Sequence, residues 1–287
     1  MPLKEFGKNV VARTASNPVT WSLYKACGLI SDAFGRIYGH ARFSREGHER
    51  NETLRSLAPA MFPDLTVTAG PFRGLRYPAA RSFGSVLIPK LLGSYESELH
   101  PVLEEMLAYQ YSAIVDIGCA EGYYAVGLGM RLEQAEVYAF DADSRATRLC
   151  RDLATANGIN GRLHLGGFCD EATLKSISLG RKALIISDCE GYEGLLFTNE
   201  VAAFLARHDL IIEAHDFIDI EISSRLRNNF AATHRVRSIK STDDIEKAHT
   251  YQYSRLDGYD TETKRLILAE RRPAIMEWLI MTSMAGD

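Results

Sequence analysis

The stretch Ile114-Val115-Asp116-Ile117-Gly118-Cys119-Ala120-Glu121-Gly122-Tyr123-Tyr124 constrains this chain more than any other. A short apolar run of the kind that forms a buried parallel strand carries an acid near its end. It passes into a turn with glycines at 118 and 122 and continues into Tyr124-Ala125-Val126-Gly127-Leu128, which reads as a helix start. Glycine accepts positive φ and puts no side chain between backbone and ligand, so this strand, loop and helix can touch a cofactor.

Two glycine-loop chemistries compete for such a unit. A dinucleotide site wants G-x-G-x-x-G, so that a pyrophosphate rests on the helix N-terminus. Here the spacing is Gly-x-x-x-Gly, with Asp116 before the turn and Glu121 inside it. Those carboxylates repel a pyrophosphate and suit a cationic ligand with an amino acid group, which describes S-adenosylmethionine (SAM). The run Val137-Tyr138-Ala139-Phe140 ends at Asp141, about twenty residues on, where the next strand of such a unit delivers a carboxylate to ribose hydroxyls. The plain alternative, a strand, turn and helix with a capping glycine, leaves these spaced acids unexplained.

With these residues the chain resembles the class I SAM-dependent methyltransferases. Ala183-Leu184-Ile185-Ile186-Ser187-Asp188-Cys189-Glu190-Gly191-Tyr192-Glu193 narrows the resemblance, because its end is similar to the D-x-E-G-Y-E signature of the FkbM-type methyltransferases. Ala139-Phe140-Asp141-Ala142-Asp143 is similar to that family's acidic second-strand end, although Glu-Pro-Asn is commoner there. The resemblance covers roughly residues 90 to 220. It implies an α/β fold, a Rossmann-like seven-stranded methyltransferase sheet, and SAM as cofactor.

Composition sets looser bounds. Of 287 residues, 46% are hydrophobic and 24% charged, as expected of a soluble globular protein. A formal net charge of −4 gives no general attraction to nucleic acid or anionic membrane, and no basic patch stands out. Arg271-Arg272 precedes a proline, and Arg225, Arg227, Arg235 and Arg237 are spread through helix and strand as solvated positions usually are. Five cysteines, with no C-x-x-C pair, argue against a zinc cluster or a secreted disulfide framework. No run approaches the roughly 20 apolar residues of a membrane span and no signal peptide is visible, so a cytoplasmic location is expected. Oligomeric state is not readable.

Residues 1–108 read as an N-terminal cap, helical from about 17 to 60 and a β-hairpin from 63 to 78. Residues 109–287 read as the SAM-binding domain. Strands at 112–117, 136–141, 161–166, 182–188 and 209–214 alternate with helices at 122–132, 144–157, 170–178 and 194–206, which implies βαβ units and a parallel sheet. Helix 219–230, strand 233–240, an insert at 241–273 with helix 261–271, and a final strand from Ala274 to Met281 follow. The resembled fold places that last strand antiparallel beside the fifth. Open parallel sheets bind ligands at the carboxyl ends of their strands, where Asp116, Asp141, Asp188 and Glu213 all fall.

The SAM candidates are Asp116, Gly118, Cys119, Ala120, Glu121, Gly122 and Tyr123 around the methionine end, and Asp141 with Ala142 at the ribose. Phe168, after the third strand, can stack on adenine or fill the core. Tyr95 and Glu96 match a Gly-x-Tyr-Glu segment near the cofactor in the resembled family, with a plain helix start as the alternative. Asp188 faces both cofactor and acceptor. Methyl transfer to a hydroxyl is an in-line displacement that needs the acceptor oxygen aligned and its proton taken. His215, with Asp188 and Glu190, is the catalytic candidate set. Asp188, Glu213 and His215 together are a candidate set for a divalent metal, Mg²⁺ or Mn²⁺ by donor type. The expected reaction is O-methylation of a sugar, glycan or secondary metabolite. N- or C-methylation of another small molecule, or a non-catalytic SAM-binding module, are the alternatives. The base-flipping signature N-P-P-[YF] is absent after the fourth strand, which argues against a nucleic-acid acceptor.

Overall fold

Three runs, Ala183–Ser187, Asp209–Ala214 and Ala113–Ile117, are buried at every position, which is how strands covered on both faces must read. They form the centre of a seven-stranded sheet in a computed structural model that describes residues 57–285. In chain order the strands are β1 (Ala113–Ile117), β2 (Glu136–Phe140), β3 (Leu163–Gly166), β4 (Ala183–Ser187), β5 (Asp209–Ala214), β6 (His234–Lys240) and β7 (Glu277–Ser283), ordered 3-2-1-4-5-7-6 across the sheet. The first five are parallel; β7 pairs antiparallel with both β5 and β6. This is a Rossmann-like seven-stranded sheet with the last strand antiparallel beside the fifth, the arrangement that the resemblance implied. The edge strand β6, His-Arg-Val-Arg-Ser-Ile-Lys, is largely solvent-facing, and its charges discourage pairing with another chain.

Helices flank the sheet: α1 (Leu87–Leu92), α2 (His100–Leu107), α3 (Tyr123–Arg131), α4 (Ser144–Ala156), α5 (Glu171–Ser176), α6 (Glu193–Leu196), α7 (Asn199–Phe204), α8 (Ile222–Phe230), α9 (Asp244–Thr250) and α10 (Thr261–Leu268). The helix expected over 194–206 is two, because Thr198 caps a new one by accepting from the Val201 N–H. Helix α9 was not expected. Its buried residues are Lys247 and Ala248 while Ile245 faces solvent, so hydrophobic periodicity does not reveal it.

The helical stretch expected from about 17 to 60 lies outside the described residues except for 57–61, which are helical. The expected hairpin over 63–78 reduces to one antiparallel bridge, Thr66 to Arg76, with no regular strand. Leu65 at φ +46°, with Gly70 and Gly74 also left-handed, breaks the pleat a longer ladder needs. Phe72 from this loop packs on α3, where Gly127 leaves the room: a Cβ there would lie 2.5 Å from the ring.

Register aligns the strand ends. Ile117 is opposite both Phe140 and Ser187, and Ser187 is opposite Ile212. Winding reverses between β1 and β4, the switch point where open α/β sheets carry their ligand crevice.

Candidate active site

A cavity of about 420 Å³ opens at this switch point. The chain comes unusually close to itself there. Gly118 has φ +87°, and a Cβ on it would lie 1.8 Å from the Asp188 carbonyl oxygen, so only glycine lets the loop after β1 pass the end of β4. Gly122 has a different job. It is absent from the cavity wall, and its Cβ would strike Cys150 Sγ of α4 at 2.6 Å.

Asp116 lines the cavity and caps α3, its Oδ2 accepting the Ala125 N–H at 2.9 Å. Burial, only partly offset by that hydrogen bond, pushes its carboxyl up to about 8. Asp141 accepts the Ala120 N–H on Oδ2 at 3.0 Å and the Asp143 N–H on Oδ1 at 2.8 Å, which fixes the carboxylate at the end of β2 with lone pairs still facing the cavity. Ala120 is held at φ +48°, a conformation alanine resists, by that bond. Cys119, Tyr123, Ala142, Tyr95, Glu96 and Asp188 also line the cavity. Phe168 lines it too, 57% exposed and tilted against Tyr192 with ring centroids 4.7 Å apart, so it is a rim residue and not part of the core.

Glu121 departs from expectation. Its side chain is buried away from this cavity, paired with the Lys90 ammonium at 2.5 Å and accepting from Ser82, Phe83 and Tyr77. Burial opposes its ionisation, but Lys90 overrides that and holds the carboxyl below the usual glutamate range. It therefore has no free charge to offer a cofactor ammonium. It fastens the segment before α1 to the loop instead.

At the ends of β4 and β5 the structure gathers the other predicted group. His215 is almost wholly buried, and its Nδ1 lies 2.8 Å from Glu193 Oε1, which also accepts the His215 backbone N–H at 2.9 Å. That leaves Nε2 facing Asp188 Oδ1 at 3.5 Å, Glu190 Oε2 at 3.6 Å and Glu213 Oε2 at 4.0 Å. Burial pushes the imidazole down, but the Glu193 hydrogen bond and the surrounding carboxylates carry it above its ordinary value. Ligand atoms of Asp188, Glu213 and His215 lie within 4.8 Å of one another. Asp188 Oδ1 is buried with no hydrogen-bond partner, and the second-sphere carboxylate on His215 Nδ1 is the arrangement that metal-bound imidazoles use. The donors present fit a divalent cation.

No protein-family model matches the sequence, and no curated protein matches it. Among solved structures, the chain is similar to the O-methyltransferase TomG from Streptomyces achromogenes, involved in tomaymycin synthesis and solved with SAM (11% identity, TM-score 0.44, over 67% of this chain and 81% of that one). It is also similar to precorrin-6y C5,15-methyltransferase from Geobacter metallireducens (9%, 0.43, 65% and 89%) and to the antibiotic-resistance methyltransferase Kmr (15%, 0.39, 64% and 92%). Scores this low leave the chemistry to be read from the site itself.

Arg272 is the residue that sequence reasoning missed. Its guanidinium pairs with Glu96 and Glu213 and reaches Glu270 Oε2 at 3.1 Å. Glu270 in turn pairs with buried Lys247 of α9, and Glu96, at φ +49°, accepts the Tyr124 hydroxyl. The 241–273 insert is thus tied by charge to the cavity wall. Glu193 was visible as the last acid of Asp-Cys-Glu-Gly-Tyr-Glu, yet nothing in the sequence says that it orients His215. The remaining histidines are structural where they are buried. His208 Nδ1 accepts the Ala183 N–H, and His234 Nε2 lies 2.8 Å from the His208 carbonyl.

Proposed function

We propose that the protein is a SAM-dependent methyltransferase of FkbM-like type that methylates a hydroxyl of a sugar, glycan or secondary metabolite. The observation that carries the reading is the position of His215: its Nε2 opens into the same cavity that Asp116 and Asp141 line, while Glu193 holds its Nδ1. Asp141 would take the ribose hydroxyls, Phe168 the adenine, and Asp116 with Tyr95 and Glu96 the methionine end. The acceptor oxygen attacks the methyl carbon in line. The O–C bond forms as the C–S bond breaks, and the leaving group is neutral S-adenosylhomocysteine. The acceptor's proton goes to His215 Nε2, whose basicity Glu193 raises and whose tautomer it fixes. Asp188 and Glu190 orient the hydroxyl.

A divalent cation held by Asp188, Glu213 and His215 would supply Lewis acidity toward the acceptor hydroxyl. His215 Nε2 would then be a ligand, and a neighbouring carboxylate would be the group left to accept the proton.

Calorimetry tests the cofactor half. S-adenosylhomocysteine should bind in the micromolar range, and Asp141→Ala should weaken it by about 1–3 kcal/mol through unpaired ribose hydroxyls. Tighter binding of NAD would overturn the reading. Incubation with labelled SAM and a panel of hydroxylated acceptors, read by mass spectrometry for a gain of one methyl group, tests the other half.

A further inference from the structure

Directly after His215 the chain presents Phe217, Ile218 and Ile220 to solvent, 48%, 54% and 79% exposed. Three large apolar side chains within four positions, leading out of a site, are more than scattered surface hydrophobics. Phe217 lines the cavity, with its ring centroid 5.8 Å from that of His215. Ile218 leans over Gly191, whose lack of a side chain leaves the space: a Cβ there would lie 3.2 Å from Ile218 Cδ1. Tyr192 follows and meets Phe168 at the far side of the mouth. The outer wall beside the proton acceptor is therefore an apolar band of the Phe217, Tyr192 and Phe168 rings, which Ile218 extends just outside the cavity lining. The Tyr192 hydroxyl and the exposed Glu190 carboxylate are the polar groups set into it.

The cavity's charge excludes one class of acceptor. Seven acidic side chains line it against Lys90, Arg271 and Arg272. Lys90 is already paired with Glu121, and Arg272 with Glu96, Glu213 and Glu270. Glu96, Glu213 and Glu270 are offset by Arg272, which leaves Asp116, Asp141, Asp188 and Glu190 as further acids of the wall. A phosphate or carboxylate on the acceptor would meet this field after losing its water. A free monosaccharide fares little better at the band, where most of its hydroxyls would be stripped of water with only the Tyr192 hydroxyl and the Glu190 carboxylate to replace it. A flat apolar body gains by burial there while its single hydroxyl reaches His215.

On the reading of the site as a methyltransferase, we propose that its acceptor is a hydroxyl on an uncharged, flat, apolar body, aromatic or alicyclic, seated on Phe217, Ile218 and Tyr192. The experiment titrates protein saturated with S-adenosylhomocysteine with 2-naphthol, 3-hydroxy-2-naphthoate and methyl glucoside by calorimetry, with the His215 ring followed by NMR. 2-Naphthol should bind at least tenfold more tightly than either of the others and shift the His215 ring signals. Phe217→Ser and Ile218→Ser should each weaken it about fivefold or more with S-adenosylhomocysteine affinity unchanged. Equal or tighter binding of the naphthoate or the glucoside, no binding of naphthol, or unaltered naphthol affinity in both variants would overturn the proposal. The S-adenosylhomocysteine titration reports on the methyltransferase reading separately. Should that ligand fail to bind, the same three probes on the free protein still decide the acceptor class.

Discussion

Glu193 Oε1 accepts both the His215 backbone N–H and, at 2.8 Å, the His215 Nδ1 proton, so one buried carboxylate fixes where the imidazole sits and which nitrogen faces the cavity. A second oxygen of the same side chain takes the Gly191 N–H at 2.9 Å. The end of β4 and the end of β5 are thereby joined through a single residue.

Glu193→Gln tests this link without an acceptor. The amide keeps a hydrogen-bond acceptor for Nδ1 but loses the charge that favours imidazolium, so the His215 pKa, followed by proton NMR, should fall from its raised position to the ordinary value of about 6.5 or below. With an acceptor in hand, kcat should drop by about 10²-fold or more while S-adenosylhomocysteine affinity holds. An unmoved His215 titration would mean that the exposed Glu190 and the remaining carboxylates, not Glu193, set its basicity.

The Lys90–Glu121 pair is buried on both sides, so removing one partner strands a charge. Lys90→Met or Glu121→Gln should each destabilise by about 3–5 kcal/mol in urea unfolding, and the double variant Lys90→Met with Glu121→Leu should recover most of it. Because the folded Glu121 pKa is depressed, its contribution is present above the ordinary glutamate value and is lost as pH falls through the lower folded one. Additive losses in the double variant would show that the two residues act independently.

At Gly118, left-handed backbone and the Asp188 carbonyl both oppose a side chain. Gly118→Ala should therefore cost about 2–4 kcal/mol, from strain and from forcing the ends of β1 and β4 apart. Loss of S-adenosylhomocysteine binding should accompany it, since the cavity opens at that approach. Full stability in the variant would indicate that the loop has room the observed contact denies.

How much of this was legible in the sequence follows from how local each signal is. The strands β1, β4 and β5 are built on short apolar runs, and the acids at or near their ends could be counted off directly. Asp116 and Glu121 look alike in the sequence, five residues apart around one strand-to-helix turn. What separates them is Lys90, thirty-one positions upstream on another helix. Arg272 was invisible for the same reason, its partners lying at 96, 213 and 270. Helix α9 hides because its inward face is a lysine made tolerable by Glu270, a pairing that hydrophobic periodicity cannot register.

The Asp188, Glu213 and His215 cluster leads to a metal prediction. Mn²⁺ titrated into chelator-treated protein should bind with loss of its free-ion resonance signal, and Asp188→Ala should weaken binding by at least tenfold, because it removes the cluster's buried carboxylate oxygen that has no hydrogen-bond partner. Turnover, once an acceptor is known, should vanish with chelator and return with Mg²⁺ or Mn²⁺. Undiminished turnover in excess chelator would leave His215 as the base.

Asp116 leads to a pH prediction whose sign can be worked out. Burial holds its folded carboxyl at about 8, against about 3.9 in the unfolded chain. With the folded value raised, its contribution to stability is full below about 3.9 and is lost as pH rises through about 8. Cofactor binding runs the other way. A cationic α-ammonium beside Asp116 favours the ionised form, so binding releases a proton, and S-adenosylhomocysteine affinity should climb by up to tenfold per pH unit between about 6 and 8. Calorimetry in buffers of differing ionisation enthalpy counts that proton directly. Asp116→Asn should flatten the profile. Affinity independent of pH over this range in the wild-type protein would mean that Asp116 does not face the ammonium, and would assign the methionine end to Glu96 and Tyr95 instead.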